Sequence, residues 1–516
     1  MLGATSKAMI SSSLDPLDRI AIAYVAMPLI IFLIGWFEVW AAVPLVVCVV
    51  YALKPLVEAL PIGAARLPIT PLQVGVAVAV GCGWTVFGGT GHFFYANSDW
   101  HIRDAVLHDL VASPWPVGYG TLDGKETLLR APLGYYLPAA LVGKWVGLST
   151  AHLAMAVWTA AGATLFLLQV LSLMPSRVGV LTMAAAVVVL FSGFDILGNL
   201  LDVPRFVAHW DIAEHLEWWA GSYQYSSMTT QLFWVPNHAL GGWLTIGLLS
   251  RDQRGRSLDS VLPIVVVAVA LWSPLAALGT IPFVAWKVVA SMSHDRSWGP
   301  LNPRVWAPAL VVGLVVAAYL TLDTGRIPRN LAMGAGGVAD VTMDLLRQAQ
   351  FFLLEAGFIG FAILAIRRSS QVVLALVILA LLPLISFGPA NDLVMRTSIP
   401  SLTVLAIGAC LALSRKDSDA SALRKKCILG CMLVVGAVTP FQEFARAVGL
   451  SSWPINFQAT LIGAACGRYP EHYVARLSGQ AVAHLLRRPY PLPLGPQGHQ
   501  ACDNPAIDLM WRRGLL

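Results

Sequence analysis

Residues 20–37 read IAIAYVAMPLIIFLIGWF and carry no charge, and residues 39–56 follow at once with a second apolar run. A helix needs about 20 predominantly apolar residues to cross the ~30 Å hydrocarbon core of a bilayer. The residues before this stretch, through Arg19, are fairly polar and contain no small-residue cleavage site. The stretch therefore predicts a signal anchor that stays attached, rather than a signal peptide that is removed.

Apolar runs recur along the rest of the chain. They occupy residues 71–90, 131–148, 151–173, 178–199, 233–250, 259–275, 276–291, 305–322, 349–366, 371–387, 399–413 and 427–440. Of the 516 residues, 57% are hydrophobic and 12% are charged, whereas about 25% are charged in soluble domains. One packed core stops growing at about 250–300 residues, so a soluble protein could not hide this much apolar surface. The sequence predicts an all-α polytopic transmembrane bundle of about 12–14 spans, with surface helices in its external loops.

The net charge of +6 comes from short clusters of Lys and Arg between the apolar runs. This pattern indicates control of membrane topology rather than binding of nucleic acid. Placing the N-terminus and the basic clusters at 251–256, 294–304, 367–368 and 415–426 in the cytoplasm predicts four external loops. They are the first loop (91–130), the second (199–232), the third (323–348) and the fourth (388–398). A transmembrane domain of residues 1–440 is then followed by an external tail, 441–516.

The number of crossings between the first two loops does not follow from the sequence. Two external loops must be joined by an even number of crossings, yet residues 131–199 contain three apolar runs. Either one of these runs does not cross the membrane or one of them is interrupted.

The first loop begins a helix that carries charge. Asn97 or Ser98 can cap this helix, and Asp99 in its first turn suits the positive end of the helix dipole. Asp99 and Arg103 are one turn apart. A carboxylate can accept a proton from an attacking hydroxyl, and a guanidinium can hold a phosphate through two hydrogen bonds. An ordinary surface ion pair explains the same spacing.

The second loop combines acids with aromatic residues. One face of a short predicted helix carries Asp211, Glu214, His215 and Trp218. Carboxylates bind sugar hydroxyls and aromatic rings stack on sugar C–H faces, although an interfacial aromatic belt is the alternative. The spacing of acids and histidine could also hold a divalent cation, but no tight ligand motif is present. Asn237 and His238 begin the next span and could contact substrate or only pack.

The fourth loop places Asp392 one turn before Arg396, at the start of a span. Arg396 could hold a phosphate there, or it could only extend its charge to the membrane surface. In the tail, Cys466 and Cys502 could form a disulfide if the tail lies outside the cytoplasm.

The early part of the chain, about residues 71–200, resembles the GT-C superfamily of glycosyltransferases, which use polyprenyl-phosphate-linked sugars. The resemblance lies in Asn97-Ser98-Asp99-Trp100 after an early span and in the return sequence Pro132-Leu133-Gly134-Tyr135-Tyr136. Three features depart from the family pattern. Two spans precede the one that leads to the acidic loop, the adjacent acidic pair is missing, and no large soluble C-terminal domain follows.

The resemblance implies an inverting displacement at the outer face of a bacterial inner membrane. Asp99 would be the base that deprotonates the acceptor hydroxyl, with Asp104 as the other candidate. Arg103 or Arg396 would neutralise the departing lipid phosphate. Trp100, His101 and Asp392 are expected to contact substrate. The sequence identifies no cofactor, with a divalent cation as the one candidate, and the partners that the resemblance implies are a lipid-linked sugar and membrane lipids.

A transporter or flippase of lipid-linked or small substrates is the alternative from another class. Transporters place charges and broken helices near the membrane midplane, often in two matching halves. Here most ionisable residues lie in the predicted external loops and no halves repeat. Asp195 and Glu355, however, lie close to or within apolar runs, where acids are functional candidates.

Overall fold

The computed structural model describes the chain except for residues 1–13, 58–68, 210–211, 213–214, 253–257, 296–298, 328, 332–337, 389–390, 417–418, 478, 480 and 493–516. The chain is 72% helical. Eight helices within the described residues are long and apolar enough to cross a membrane: Pro16–Trp36, Leu148–Leu171, Val178–Asp202, Pro274–Ser293, Pro303–Leu320, Val341–Ile366, Asp392–Ser414 and Ala420–Gly449. Five shorter apolar helices are Val39–Ala52, Pro71–Phe87, Leu137–Val146, Leu262–Trp272 and Ser370–Leu384. The predicted all-α polytopic bundle is confirmed.

Several of the long apolar elements contain breaks in their helical geometry. The span Val178–Asp202 consists of the helices Val178–Leu190 and Asp195–Asn199 with a 3₁₀ turn, Leu200–Asp202. The span Val341–Ile366 contains a π-helical turn, Leu353–Gly357. The remaining helices are Asp99–Ala112, Val203–His209, Met228–Trp234, Pro236–Arg251 and Leu461–Ala464, with a 3₁₀ helix at Leu216–Ala220.

The starts of the spans follow from local sequence. Asp15 accepts a hydrogen bond from the Leu17 backbone N–H, and Pro16 takes the first helical position, where the missing N–H costs nothing. Thr70 and Gln73 form a capping box in front of the helix Pro71–Phe87.

Residues 131–148, one of the three apolar runs between the first two loops, form a half-helix. The helix Leu137–Val146 has ten residues, which rise about 15 Å, roughly half of the hydrocarbon core. Its start lies beside the middle of the next helix, because the Tyr135 hydroxyl and Thr159 Oγ1 are 2.7 Å apart. Its end joins that helix through Gly147, whose φ of 105° favours glycine. Two elements that are long and apolar enough to cross a membrane, Leu148–Leu171 and Val178–Asp202, therefore lie between the first two loops.

Aromatic side chains pack around the chain segment that leads into this half-helix. The ring of Tyr24 stacks on Trp158 with centroids 3.9 Å apart, and Trp272 packs beside both rings. A Cβ on Gly134 would lie 2.7 Å from the Trp272 ring. Glycine at this position therefore allows the chain segment before the half-helix to pack directly against Trp272.

The residues after Gly449 fold back onto the first loop, and the described part of them, 450–492, is called the C-terminal segment below. Strand β6 (Val474–Arg476) pairs antiparallel with β3 (Lys125–Leu129), which also pairs with β2 (Thr121–Leu122). Strand β7 (Tyr490–Pro491) pairs parallel with β1 (Val117–Gly118), and β4 (Arg329–Leu331) pairs with β5 (Ile385–Phe387). The segment and the first loop thus lie at the same end of the bundle.

Two predictions about the tail concern its boundary and its cysteines. The predicted boundary at residue 440 falls inside the helix Val438–Gly449. Cys466 is disulfide-bonded, while its predicted partner, Cys502, lies outside the described residues.

Candidate functional site

Asp99 and Arg103 lie on the helix Asp99–Ala112, as predicted. Ser98 is the N-cap residue of this helix, and the side-chain oxygen of Asn97, one residue earlier, accepts a hydrogen bond from the Asp99 backbone N–H at 3.1 Å. Arg103 Nη2 donates to Asp99 Oδ2 at 2.7 Å, and Arg103 Nη1 donates to Asn237 Oδ1 at 2.9 Å. The Arg103 side chain is only 3% exposed, whereas that of Asp99 is 24% exposed. Asp99 is therefore the member of the pair that solvent or a substrate can reach.

The fourth loop contributes a second pair of the same kind. Arg396 Nη2 lies 2.9 Å from Asp392 Oδ1, and both side chains are partly exposed. The helix Asp392–Thr397, which carries them, begins after Asn391 in the left-handed region, with φ of 55°. This helix packs tightly against Pro274–Asp295, because a Cβ on Gly279 would lie 2.2 Å from the Thr397 carbonyl oxygen.

The pKa of Asp99 reflects the charges of both pairs. Burial raises the pKa of Asp99, the guanidinium groups of Arg103 and Arg396 oppose this shift, and the Asp392 carboxylate adds to it. Burial lowers the pKa of Arg103, but Tyr136 and Asp99 beside it outweigh that effect, so the net shift is upward. Two carboxylates and two guanidinium groups from separate loops thus share one region, called the charged cluster below.

Two buried donors in the charged cluster have no protein partner. They are Arg103 Nε and Arg396 Nε. A buried N–H group without a partner costs about 1–3 kcal/mol, and a guanidinium group is well suited to bind phosphate oxygens. The donor set of the charged cluster therefore fits an anionic group.

Asn237 and His238 both lie at the start of the helix Pro236–Arg251, but they have different partners. Asn237 holds Arg103, as described above. His238 is buried, and its Nδ1 lies 2.9 Å from Ser273 Oγ. The hydrogen bond between Asn237 and Arg103 links the helix Pro236–Arg251 to the first loop.

The C-terminal segment adds two residues that the sequence did not indicate, His472 and Tyr473. Burial lowers the pKa of His472 to about 4, and nearby Arg396 and Arg130 contribute to that shift while Asp392 opposes it. No spacing in the sequence links a His-Tyr pair in the tail to residues more than 350 positions earlier. Only strand pairing in the folded chain brings them together.

Asp104 and His101 lie in a different environment from Asp99. His92 Nε2 lies 2.8 Å from Asp104 Oδ2, and the Asp104 side chain is 3% exposed. His101 stacks on Trp453 of the C-terminal segment, with ring centroids 4.0 Å apart. The structure thus surrounds Asp104 with protein groups and leaves Asp99 the more accessible carboxylate.

Trp100 lies inside the protein. Its ring is fully buried, and its indole N–H donates to the Phe233 carbonyl at 2.9 Å. Asn97 donates to the same carbonyl at 2.8 Å. Trp100, predicted to contact substrate, thus fixes the start of its helix against the helix Met228–Trp234.

The predicted residues of the second loop are only partly described. Asp211 and Glu214 lie outside the described residues. His215 stacks on Trp234 and lies 3.7 Å from Glu217 Oε2 and 3.6 Å from Glu443 Oε1, and the Trp218 ring packs beside it. Burial, with Arg446, lowers the pKa of His215 well below its usual value. These contacts place His215 and Trp218 in a second cluster, built around Glu217 and Glu443.

A pair of acids within the spans adjoins this second cluster. Asp195 Oδ2 accepts hydrogen bonds from Ser192 at 3.0 Å and Thr439 at 2.7 Å. Glu355, in the π-helical turn, accepts one from the Trp219 indole at 2.7 Å. Both acids are 1% exposed.

Metal binding gains no support from the side chains that the structure describes. Among them, no group of three or more His, Cys, Asp or Glu residues could hold a metal ion. The predicted cation ligands included Asp211 and Glu214, so the divalent cation stays a prediction.

Comparison with known proteins gives no match: the chain matches no family model, no curated protein and no solved structure. A functional conclusion therefore depends on the residues and geometry described above, and the resemblance to GT-C enzymes stays a prediction.

Proposed function

We propose that this protein is a membrane glycosyltransferase, which moves a sugar from a polyprenyl-phosphate donor to an envelope glycan, lipid or protein acceptor. One observation carries the proposal. An accessible carboxylate, Asp99, lies 2.7 Å from the guanidinium group of Arg103, and the charge of Arg396 also acts on it; each of the two arginines has an N–H without a protein partner.

The proposed reaction is a single inverting displacement. The acceptor hydroxyl oxygen forms a bond to the anomeric carbon while the bond from that carbon to the donor phosphate oxygen breaks. Asp99 accepts the hydroxyl proton, and the phosphate leaves with the bonding electron pair. Arg103 and Arg396 stabilise the negative charge that develops on the phosphate.

The proposed location is a bacterial inner membrane, with the charged cluster on the external side. The distribution of basic residues between spans supports this orientation. The disulfide at Cys466 supports it as well, since disulfides are typical of oxidising compartments. The C-terminal segment that carries Cys466 pairs with the first loop, so both belong to the same side.

Mass spectrometry of envelope glycans and lipids tests the proposal. The strains are a deletion and the deletion complemented with wild type, Asp99→Asn, Asp104→Asn or Asp344→Asn. Asp344 is a control because it pairs only loosely with Arg347, at 3.8 Å, outside the charged cluster. We expect a sugar-sized mass to disappear in the deletion, to return with wild type and Asp344→Asn, and to stay absent with Asp99→Asn.

The outcomes distinguish between the two candidate bases, and they also test whether the protein is a glycosyltransferase. Restoration by Asp99→Asn but not by Asp104→Asn would transfer the role of base to Asp104. Restoration by both variants would contradict base catalysis by either carboxylate. Unchanged envelope glycans and lipids in the deletion strain would contradict the proposed glycosyltransferase function.

A transporter or flippase is the second candidate, favoured by the acids within the spans. Asp195 and Glu355 are buried inside two candidate spans, and a π-helical turn interrupts the helix at Glu355. Intramembrane acids and interrupted helices are common in transporters. Under this alternative, Glu355→Gln abolishes transport of a lipid-linked substrate while Asp99→Asn leaves it intact.

A further inference from the structure

Two turns between apolar helices meet at one end of the bundle, and both carry cations. The helices that these turns join are Phe358–Ile366 with Ser370–Leu381, and Ile399–Ser414 with Ala420–Gly436. Arg415 Nη1, in the second turn, donates to the Ile366 carbonyl of the first turn at 3.2 Å. Lys426 Nζ donates to the Arg415 carbonyl. Cations that are about 50 residues apart in the sequence are therefore brought to one place by the fold.

These two turns account for most of the net charge of the protein. Residues 366–370 and 414–426 contain seven Lys or Arg residues and two Asp residues, so their net charge is +5, while that of the whole chain is +6. The surface formed by the seven cations is called the basic surface below. Its members are Arg367, Arg368, Arg415, Lys416, Arg424, Lys425 and Lys426.

Several cations of the basic surface are unpaired. Four of the seven side chains have no ion-pair or hydrogen-bond partner among the residues that the structure describes. They are those of Arg367, Arg368, Arg424 and Lys425. Three of these four, Arg368, Arg424 and Lys425, are exposed, so a ligand can reach them from outside the bundle.

Cations near other turns on the same predicted side of the membrane have acidic partners. Arg251 lies 3.2 Å from Asp15 and 2.8 Å from Asp18, and Lys287 lies 2.9 Å from Asp252. Membrane topology requires positive charge in cytoplasmic loops, but it requires neither that the cations gather nor that they stay unpaired. Cations that gather repel each other, and an anion that binds among them offsets this repulsion. The basic surface is therefore suited to an anionic ligand.

Exposed apolar side chains beside the basic surface favour a lipid over a soluble anion. Leu423, directly before Arg424, is 62% exposed, and Ile428 on the same helix is 48% exposed. Phe361, on the helix Phe358–Ile366, is 51% exposed. An acyl chain can lie along these faces while its phosphate contacts the cations at the helix ends. We propose that the basic surface binds the headgroup of an anionic phospholipid on the cytoplasmic side of the membrane.

The basic surface is separate from the charged cluster. Arg396 lies near the start of the candidate span Asp392–Ser414, whereas Arg415 directly follows its end. The two regions therefore lie at opposite ends of one span. Binding of a phospholipid at the basic surface does not depend on the proposed sugar transfer, and it can be measured without it.

The test measures lipid binding by the full-length protein in detergent, by native mass spectrometry. The probes are phosphatidylglycerol and phosphatidylcholine with identical acyl chains, since both contain a phosphate but only phosphatidylglycerol has a net negative charge. The variants are Arg368→Gln from the first turn, Arg424→Gln from the second, and the double variant, each checked for folding by its thermal midpoint. Arg304→Gln is the matched control, because Arg304 is an exposed cation on another predicted cytoplasmic turn, before the helix Pro303–Leu320 continues.

We expect the wild type to bind phosphatidylglycerol more tightly than phosphatidylcholine. Arg368→Gln and Arg424→Gln should each weaken binding of phosphatidylglycerol roughly fivefold, the usual effect of one cation beside an anionic lipid. The double variant should lose about 25-fold, because two independent contributions add in free energy. Arg304→Gln should stay within about twofold of wild type, since solvent and salt screen a distant exposed charge. Excess inorganic phosphate should not displace the lipid, because the acyl chains also contribute to its affinity.

Three results would overturn the inference. Equal affinity for phosphatidylglycerol and phosphatidylcholine would contradict recognition of an anionic headgroup. Wild-type affinity in the double variant, or an equal loss in Arg304→Gln, would show that no defined site exists at the basic surface. Complete displacement by inorganic phosphate would identify free phosphate as the ligand. If lipid binding behaves as expected while envelope glycans are unchanged in the deletion strain, the glycosyltransferase proposal fails and the lipid site stands.

Discussion

Asp99 can act as a base only if its environment leaves it ionised at working pH. Burial favours the neutral acid, and the Asp392 carboxylate acts in the same direction. Arg103 and Arg396 favour the carboxylate. The balance gives a raised pKa, which makes Asp99 a stronger proton acceptor than a free aspartate, provided that the pH stays above that pKa.

This balance predicts opposite pH shifts for two variants. Activity falls as the pH drops through the pKa of Asp99, because protonation removes the base. Arg396→Gln removes a positive neighbour, raises that pKa and moves the acidic limb of the kcat profile to higher pH. Asp392→Asn removes a negative neighbour and moves the limb to lower pH.

The measurement is kcat against pH at saturating donor, so that weaker donor binding does not distort the comparison. Wild type is the reference, and Tyr469→Phe is a control that changes no charge. Shifts of both variants in the same direction, or no shift in either, would contradict the assignment of Asp99 as the titrating base.

Glycines at helix contacts determine how closely the elements that carry the charged cluster approach each other. Gly279 on the helix Pro274–Asp295 lies against the Thr397 carbonyl, directly after Arg396. A backbone atom cannot rotate away as a flexible side chain can, so any side chain at residue 279 must displace the helix Asp392–Thr397.

Gly279→Ala is therefore expected to destabilise the protein by about 1–3 kcal/mol, the usual effect of overpacking. We also expect weaker binding of undecaprenyl phosphate, because Arg396 moves with its helix. Gly75→Ala is the matched control, since Gly75 lies in the apolar helix Pro71–Phe87 with no atom within 4 Å of an added Cβ. A thermal midpoint for Gly279→Ala equal to that of Gly75→Ala would show that the contact at Thr397 adapts without strain.

At the scale of the whole molecule, the sequence predicted those features that depend on local sequence patterns. Hydropathy predicted the helical membrane bundle, and the four-residue spacing predicted the pairing of Asp99 with Arg103 and of Asp392 with Arg396. The sequence could not predict that these pairs meet, because their meeting depends on helix packing across almost 300 residues. Tyr473 was missed for the same reason, since a three-residue strand in a polar tail carries no periodic signal. The sequence left open which of the three apolar runs in residues 131–199 does not cross, because hydropathy measures apolar character and does not show where a helix begins.

The topology of the half-helix gives the prediction that tests the whole arrangement. Ser149 is the second residue of the span Leu148–Leu171, close to Gly147, which joins that span to the half-helix Leu137–Val146, and Ser176 lies after that span. If residues 131–148 return to the side from which they entered, Ser98→Cys and Ser149→Cys react with a membrane-impermeant maleimide in intact cells. Ser176→Cys reacts only after lysis, because one crossing separates it from Ser149.

The unsubstituted chain, labelled in parallel, reports the background from native cysteines. Labelling of Ser149→Cys only after lysis would mean that the half-helix crosses the membrane. Three crossings would then join the first two loops, and these loops could not both be external. Labelling of Ser98→Cys only after lysis would invert the bundle, place the charged cluster in the cytoplasm and contradict the external location proposed for it.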